Sequence, residues 1–157
     1  MMTERNNMLL LVITLLLFSN CLWTNAQEYS NISMCVEVDT FSSSFIRIEL
    51  ACGYKKRIYN YEEGKFIDYF YNDGSIITLF KGALQKTPLL SNNKCYDINR
   101  IDTLNGKVII KGTINGKVWR EDSFEGIRIY YEKVSIDKMN LFDNILNSLL
   151  VSKVNSN

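Results

Sequence analysis

The chain contains no histidine and only one proline, Pro88, in 157 residues. Without histidine it cannot form Ser-His or Cys-His nucleophile pairs, and it lacks the commonest general base and a common zinc ligand. Nucleophile-elbow, zinc-protease and glycine-rich phosphate-loop motifs are also missing. An excess of one charge is missing as well, since 18 basic side chains stand against 17 acidic ones. This balance argues against a nucleic acid or an anionic membrane as the partner.

The N-terminal segment is patterned for export. Residues 8–18 (MLLLVITLLLF) form an apolar run that is shorter than the ~20 residues needed to span a bilayer. An A-x-A-like cleavage pattern follows and ends at Ala26. We predict a secretory signal peptide at 1–26, cleaved before Gln27, and a periplasmic or secreted mature protein. Two alternatives remain open, namely a retained signal anchor and a lipid anchor on Cys21.

Three cysteines remain after cleavage, which is an odd number for an exported chain. They are Cys35, Cys52 and Cys95. The simplest account is one disulfide and one thiol. We expect Cys35 to pair with Cys52, because that bond would join two consecutive strands. The alternative is that the cysteines stay reduced and buried.

Most of the mature chain has the patterning of short strands. In residues 45–52 (FIRIELAC) apolar side chains alternate with Arg47 and Glu49, which is typical of a half-buried strand. Turn signals in which both central residues favour positive φ separate the later β-rich runs: Asp73-Gly74, Asn105-Gly106 and Asn115-Gly116. Short strands joined by tight turns predict an antiparallel meander.

The pattern becomes helical in residues 135–150. One face of this segment is apolar: Met139, Phe142, Ile145, Leu146, Leu149 and Leu150. Its polar face is not basic, so we expect it to cover a sheet and not to lie on a membrane. The predicted fold is therefore α+β, an antiparallel β-meander sheet with one amphipathic C-terminal helix packed on one face. We expect residues 27–151 to form a single domain and 152–157 to be a frayed tail.

Aromatic residues are concentrated in residues 59–74 (YNYEEGKFIDYFYNDG). Alternation in 65–71 places aromatic rings on both faces of a strand, whereas a sheet covered by one helix has only one buried side. One set should therefore be at least partly exposed, and tyrosine is enriched where interfaces concentrate binding energy. The predicted protein interface comprises Tyr59, Tyr61, Glu62, Glu63, Asp68, Tyr69 and Tyr71. The alternative is cross-strand packing that stabilises the sheet.

We do not expect an enzyme, and we predict no catalytic residue, cofactor or metal site. Glycoside hydrolysis would need two carboxylates that face each other across a cleft. The adjacent pairs Glu62-Glu63 and Glu121-Asp122 point to opposite faces of a strand. We interpret these acids, together with Glu125, as solvated turn charges.

The leader ending in TNAQ, the three tight turns and residues 116–146 (GKVWREDSFEGIRIYYEKVSIDKMNLFDNIL) resemble small exported proteins of Bacteroidetes. Such proteins include periplasmic immunity proteins, which bind and block toxic effectors delivered by the type VI secretion systems of neighbouring cells. The resemblance implies a non-enzymatic protein that binds and neutralises a toxic effector. The alternative is a surface-associated structural domain, or one that binds a small ligand or glycan on the open face of the sheet.

Overall fold

The computed structural model describes residues 32–41, 44–62, 64–82, 90, 93–104, 106–124 and 126–153. The chain divides into two units, Met1–Ser33 and Met34–Asn157, and the architecture given below is that of the second unit. The predicted signal peptide, its cleavage site and Cys21 lie outside the described residues. Within those residues, no helix has the length and apolar character needed to cross a bilayer.

A smaller, antiparallel sheet is built from both ends of this unit. Its strands, in spatial order, are β1 (Met34–Phe41), β2 (Ser44–Ala51) and β10 (Leu150–Lys153). Ser152 and Lys153 belong to the segment expected to fray, but they pair with Phe45 and Ser44 of β2. The apolar alternation predicted for residues 45–52 is confirmed, because the side chains that share one face of β2 are buried.

A larger sheet of seven antiparallel strands forms the rest. The strands are β3 (Lys55–Tyr61), β4 (Gly64–Phe70), β5 (Ile76–Gly82), β6 (Asp97–Leu104), β7 (Lys107–Ile114), β8 (Lys117–Phe124) and β9 (Ile127–Val134). Their spatial order is β3-β4-β5-β9-β8-β7-β6. Two meanders, β3–β5 and β6–β9, therefore meet where β5 pairs with β9. The antiparallel meander is confirmed, and the structure adds that the chain crosses to the far edge between β5 and β6.

Two of the three predicted turns lie entirely within the described residues, and only the one at Asn115-Gly116 forms the tight turn that we expected. Asn115 and Gly116 both have positive φ, 50° and 71°, as a two-residue turn of this kind requires. At the β4–β5 connection only Gly74 does, with φ of 85°. That loop is wider and is closed by a hydrogen bond from the Tyr71 amide to the Ser75 carbonyl, 3.0 Å long.

The predicted C-terminal helix is present but shorter than expected. A 3-10 turn (Ile136–Lys138) leads into helix α1 (Met139–Asn147). Phe142 is buried on its inner face, where its ring meets that of Tyr131 edge-on at 5.6 Å. Leu150 lies beyond the helix in β10 and is exposed. The α+β fold, with one helix packed against the sheet, is confirmed.

A buried ion-pair cluster joins α1 to the sheet. Arg120 of β8, with a side chain only 3% exposed, donates from Nε and Nη2 to Asp122 at 2.7 and 2.8 Å. Its Nη1 lies 3.1 Å from Asp143 of α1, which also accepts from Lys111 at 2.5 Å and from the Tyr131 hydroxyl at 3.0 Å. Burial alone would raise the pKa of Asp143, but the hydrogen bonds from Lys111 and Arg120 lower it. Asp143 is therefore held as a carboxylate.

The smaller sheet packs over the same face of the larger sheet as the helix does. Lys65 of β4 reaches Asp39 of β1 at 2.9 Å, and Lys56 of β3 reaches Glu37 of β1 at 2.7 Å. Apolar residues fill the space between the layers, including Ile46, Ile48, Leu50, Ile67, Tyr69, Ile77, Leu79, Ile129 and Tyr131. We call this covered side the helix face of the larger sheet.

The predicted disulfide between Cys35 and Cys52 is confirmed. It ties β1 to the residue that follows β2, at a sequence separation of 17. Cys95 is free and exposed, so the alternative of buried, reduced cysteines is wrong for all three.

Replacing Cys35 and Cys52 together by serine is expected to lower the free energy of unfolding by about 3 kcal/mol. The bond restricts the unfolded chain, and closing a loop of this length is worth about that much. Urea unfolding measures the loss, with the exposed Cys95→Ser as a control that should leave stability unchanged. Equal losses in the two variants would contradict a structural role for this bond.

Asp143→Asn is expected to lower the free energy of unfolding at pH 7 by about 2 kcal/mol, a figure reduced because the carboxylate is partly exposed. A lowered pKa means that the stabilisation is present above the ordinary carboxyl pKa of about 3.9 and is lost as the pH falls through the lower, folded value. The difference from wild type should therefore shrink as the pH is lowered from 5 to values below the ordinary carboxyl pKa.

The matched control is Asp102→Asn, which breaks an exposed pair with Arg100. This change should cost less than about 0.5 kcal/mol. Urea unfolding of all three proteins across this pH range tests the account. A pH-independent loss in Asp143→Asn, or an equal loss in the control, would contradict it.

Candidate functional site

The face of the larger sheet opposite α1 carries a cleft of about 440 Å³. It crosses strands β3, β4, β5 and β9. Four aromatic residues, two carboxylates and Thr78 contribute most of its lining, which comprises Tyr59, Tyr61, Phe66, Asp68, Ile76, Thr78, Tyr130 and Glu132. We refer to this site as the cleft, and to this side of the sheet as the cleft face.

The register of the strands brings these residues together. Asp68 of β4 lies opposite Thr78 of β5, which in turn lies opposite Tyr130 of β9. In the next row of the same face, Ile76 lies opposite Glu132. Side chains two residues apart on a strand share a face, so both rows open to the same side. The cleft exists because β9 pairs with β5.

Aromatic rings form the wall on the β3 side. Tyr59 and Tyr61 are two residues apart on this edge strand, and their rings are nearly parallel, with centroids 6.3 Å apart. Phe66 meets Tyr61 edge-on at 5.8 Å and lies against Phe80, with ring centroids 4.3 Å apart. Tyr61 is 58% exposed. This wall therefore presents ring surface to solvent while its base is anchored in the sheet.

Asp68 is a half-buried carboxylate whose cross-strand neighbour on β3 is Arg57. The Thr78 hydroxyl donates to it at 2.7 Å. Burial raises the pKa of Asp68 and the charge of Glu132 raises it further, against the opposing effects of the Thr78 hydrogen bond and of Arg57. Among the described residues, no ion pair within 4.0 Å includes Asp68. Arg57 therefore attracts this carboxylate without pairing with it directly.

Glu132 is held from the other side of the cleft. The Tyr96 hydroxyl donates to it at 2.5 Å, and Lys133 lies 3.7 Å away on an exposed side chain. An ion pair with such an exposed lysine contributes little free energy. Glu132 therefore has a fixed position and retains acceptor capacity towards the cleft.

Tyr130 lies between the acidic groups. Burial, and then the charges of Asp68, Glu132 and Glu121, raise the pKa of Tyr130 to about 12, against a lowering effect of its hydrogen bond with Thr78. This phenol is protonated at neutral pH, as it would be at its ordinary pKa of about 10. The raised pKa reports that the surroundings of the ring are negative, since nearby negative charge disfavours the phenolate.

Two acids that we interpreted as solvated turn charges are buried, and that interpretation is wrong for them. Asp122 bonds to Arg120 on the helix face. Glu121 accepts from the amide of Leu90 at 2.9 Å on the cleft face and lies 3.9 Å from the guanidinium of Arg128. They do point to opposite faces, as alternation predicts. Glu62 is exposed in a turn, whereas Glu63 and Glu125 lie outside the described residues.

The cleft takes up only part of the predicted interface. Tyr59, Tyr61 and Asp68 line it, and Glu62 is exposed next to Tyr61 in the β3–β4 turn. Glu63 lies outside the described residues. Three of the seven predicted residues thus meet at one site.

Tyr69 and Tyr71 do not belong to this surface. Tyr69 is 1% exposed on the helix face, where its ring meets that of Tyr54 edge-on at 5.2 Å. Tyr71 is half-buried against Phe142 of α1, with centroids 5.4 Å apart. The expectation that one side of β4 is at least partly exposed is confirmed, and that side is the one that carries Asp68.

Five of the eight lining residues were not predicted, namely Phe66 of β4 and four residues of β5 and β9: Ile76, Thr78, Tyr130 and Glu132. The alternation of residues 126–134 (GIRIYYEKV) places Tyr130 and Glu132 on one side of a strand, and this is the signal that the sequence offers for them. The pairing of β5 with β9 had no local signal. Strand β3 was missed as well, since its exposed edge position removes the apolar alternation.

The chemistry available to the cleft is ion pairing, hydrogen bonding and contact with ring faces. Within the described residues, no group of three or more Cys, Asp or Glu side chains is placed to hold a metal ion. Two carboxylates do line one cleft, which is the arrangement that hydrolysis would need, and neither belongs to the pairs considered from sequence. Comparisons of the chain with protein-family models, curated protein sequences and solved structures gave no significant match.

Single serine substitutions should separate the core tyrosine from the cleft tyrosine. Tyr69→Ser is expected to lower the free energy of unfolding by about 3 to 4 kcal/mol, because it leaves a cavity in the core. Tyr61→Ser should cost less than about 1 kcal/mol, because most of this ring is exposed. Urea unfolding measures both. Comparable losses would mean that Tyr61 serves the sheet and not a binding surface.

Proposed function

We propose that this chain is an exported, non-enzymatic binding protein whose cleft face docks onto another protein. The most concrete partner is a toxic effector, which the chain would neutralise as an immunity or inhibitor protein. The observation that carries this proposal is the cleft itself, a concave site lined by exposed tyrosine and by carboxylates. The resemblance of the C-terminal segment to small exported proteins of Bacteroidetes, a group that includes immunity proteins, points in the same direction.

The composition of the cleft suits a protein partner. Tyrosine combines a large rigid ring with a polar tip, and it is among the residues that contribute most to protein interfaces. Tyr59 and Tyr61 stand at the sheet edge, where a partner can approach both rings. Asp68 and Glu132 add charge that would select the partner and orient it.

The disulfide supports a site of action outside the cytoplasm. The Cys35–Cys52 bond is typical of proteins that fold in an oxidising compartment, such as the periplasm or the medium. A periplasmic location would place the protein where an incoming effector acts. The lipid-anchored alternative through Cys21 remains compatible with this role, since it changes the tether and not the cleft.

Binding of a glycan or other small ligand is the second candidate. The nearly parallel rings of Tyr59 and Tyr61 next to two carboxylates favour it, since sugars stack on rings and bond to carboxylates. The same two carboxylates also allow a test for hydrolysis. Release of reducing sugar from a bound glycan would replace the binding proposal with an enzymatic one.

The test starts with capture of proteins by the tagged chain from cultures of the source organism and of competing bacteria. Each captured protein is then expressed in the periplasm of a host, alone and with this chain. We expect one captured protein to arrest growth alone and to be harmless when the chain is present. Capture of a glycan, or of proteins none of which is toxic, would contradict the effector proposal.

Paired variants tie this protection to the cleft. Tyr59→Ser combined with Tyr61→Ser should abolish protection, because the exposed wall of the cleft is lost. The matched control is Phe45→Ser, which removes an exposed ring from the smaller sheet, on the other side of the molecule. Loss of protection in the control, or full protection by the double variant, would move the docking surface away from the cleft.

A further inference from the structure

The cleft carries more negative than positive charge. Asp68 and Glu132 line it, and each accepts one hydrogen bond from a hydroxyl, so further acceptor positions remain on both. The nearby cations lie at its margin. Arg57 has its guanidinium over the ring of Phe70, 5.1 Å from the centroid, and Lys133 is on an exposed side chain. An incoming cation would therefore find Asp68, which forms no ion pair, and Glu132, which is paired only with the exposed Lys133.

The rings of the cleft add a second attraction for a cation. The face of a tyrosine ring is electron-rich and attracts a positive group within about 6 Å of its centre. Tyr59, Tyr61 and Tyr130 contribute rings to the same cleft as the carboxylates. The chain already places the guanidinium of Arg57 over Phe70 on the neighbouring row of this face. Rings and carboxylates in one concavity thus favour the same kind of ligand.

We propose that the cleft receives an arginine side chain of the partner protein, with its guanidinium between Asp68 and Glu132 and against the tyrosine rings. This inference rests on the proposed function, since it names the group by which the partner is held. A guanidinium is planar and weakly hydrated, and it can bond to two carboxylates while it lies on a ring, which an ammonium group does less well. A neutral sugar would leave the mutual repulsion of the two carboxylates in place. At about 440 Å³ the cleft suits one side chain with its neighbours.

The test is an NMR titration of the full chain, expressed with its own N-terminal segment. The probes are the Nα-acetyl amides of arginine, of lysine and of citrulline, which has the shape of arginine without its charge. We expect the arginine probe to shift the ring signals of Tyr59, Tyr61 and Tyr130 with a Kd on the order of 1 to 10 mM. Citrulline should bind at least about tenfold more weakly. Equal binding of citrulline, or no shift with arginine, would overturn the proposal.

Two comparisons define the ligand class, one with the lysine probe and one with an added oligosaccharide. Lysine bound as tightly as arginine would overturn the assignment to a guanidinium, because a point charge would then suffice. An oligosaccharide such as cellobiose that shifts the same rings more strongly than arginine would overturn it in favour of a glycan site. We expect both to bind more weakly than arginine.

Charge-removing variants locate the site. Asp68→Asn and Glu132→Gln should each weaken arginine binding by at least about tenfold. The matched control is Glu49→Gln on the smaller sheet, which also removes one negative charge, from an exposed pair with Arg47, and should leave binding unchanged. If Asp68→Asn does not fold, Glu132→Gln decides the test alone. Unchanged binding in the cleft variants would overturn the proposal.

This test and the effector test can fail separately. A captured toxin that is neutralised by a chain that does not bind arginine would leave the proposed function in place and remove the arginine site. Arginine binding in a chain that neutralises no toxin would keep the cationic site and remove the proposed partner. A complex with the captured protein adds a direct check, because changing its docked arginine to lysine should lower affinity at least about tenfold.

Discussion

The pairing of β9 with β5 is the constraint on which the rest of the structure depends. It joins two meanders into one sheet and makes β9 a central strand that is largely buried on both faces. On the helix face β9 supplies Ile129 and Tyr131 to the core. On the cleft face it places Tyr130 and Glu132 next to the row that contains Asp68. Fold and cleft therefore form together, from parts of the chain that are about 60 residues apart.

Charged groups are treated differently on the two faces of this sheet. On the helix face the positive Arg120 is bonded to the negative Asp122 and Asp143 in a buried cluster, which lowers the pKa of the Asp143 carboxyl. On the cleft face the carboxylates of Asp68 and Glu132 accept hydrogen bonds from hydroxyls, and Asp68 has a raised pKa. The ion pairs of the helix face stabilise the packing of α1 on the sheet. The weakly paired carboxylates of the exposed cleft can instead gain free energy when a cationic ligand binds.

Local patterning predicted what depends on neighbours in sequence. The alternation of β2, the turn at Asn115-Gly116, the amphipathic C-terminal helix and the Cys35–Cys52 bond all follow from short stretches, and the structure contains each of them. The alternation of β4 also indicated that one of its sides is exposed. Alternation could not predict that Tyr69 is buried, because it does not say which side of the strand the helix covers.

Features set by distant pairing could not be read from the sequence. The split into two sheets depends on β10 joining β2, and the cleft depends on β9 joining β5. Glu121 and Asp122 resemble turn acids in sequence, but β8, which carries them, is an internal strand of the larger sheet. Their surroundings are completed by distant residues, since Leu90 bonds to Glu121 and Asp143 of α1 pairs with the Arg120 that holds Asp122. Such long-range pairs leave no periodic signal in a single chain.

Hydrogen exchange of the chain with and without its captured protein tests the central claim, that the cleft between β3, β4, β5 and β9 is the binding surface. We expect the amides of the cleft strands to gain protection, most of all near Asp68, Thr78 and Tyr130. The amides of β1 and β10 should exchange as before. Protection confined to the smaller sheet or to the β6 edge would contradict the claim, because the partner would then dock where the cleft plays no part.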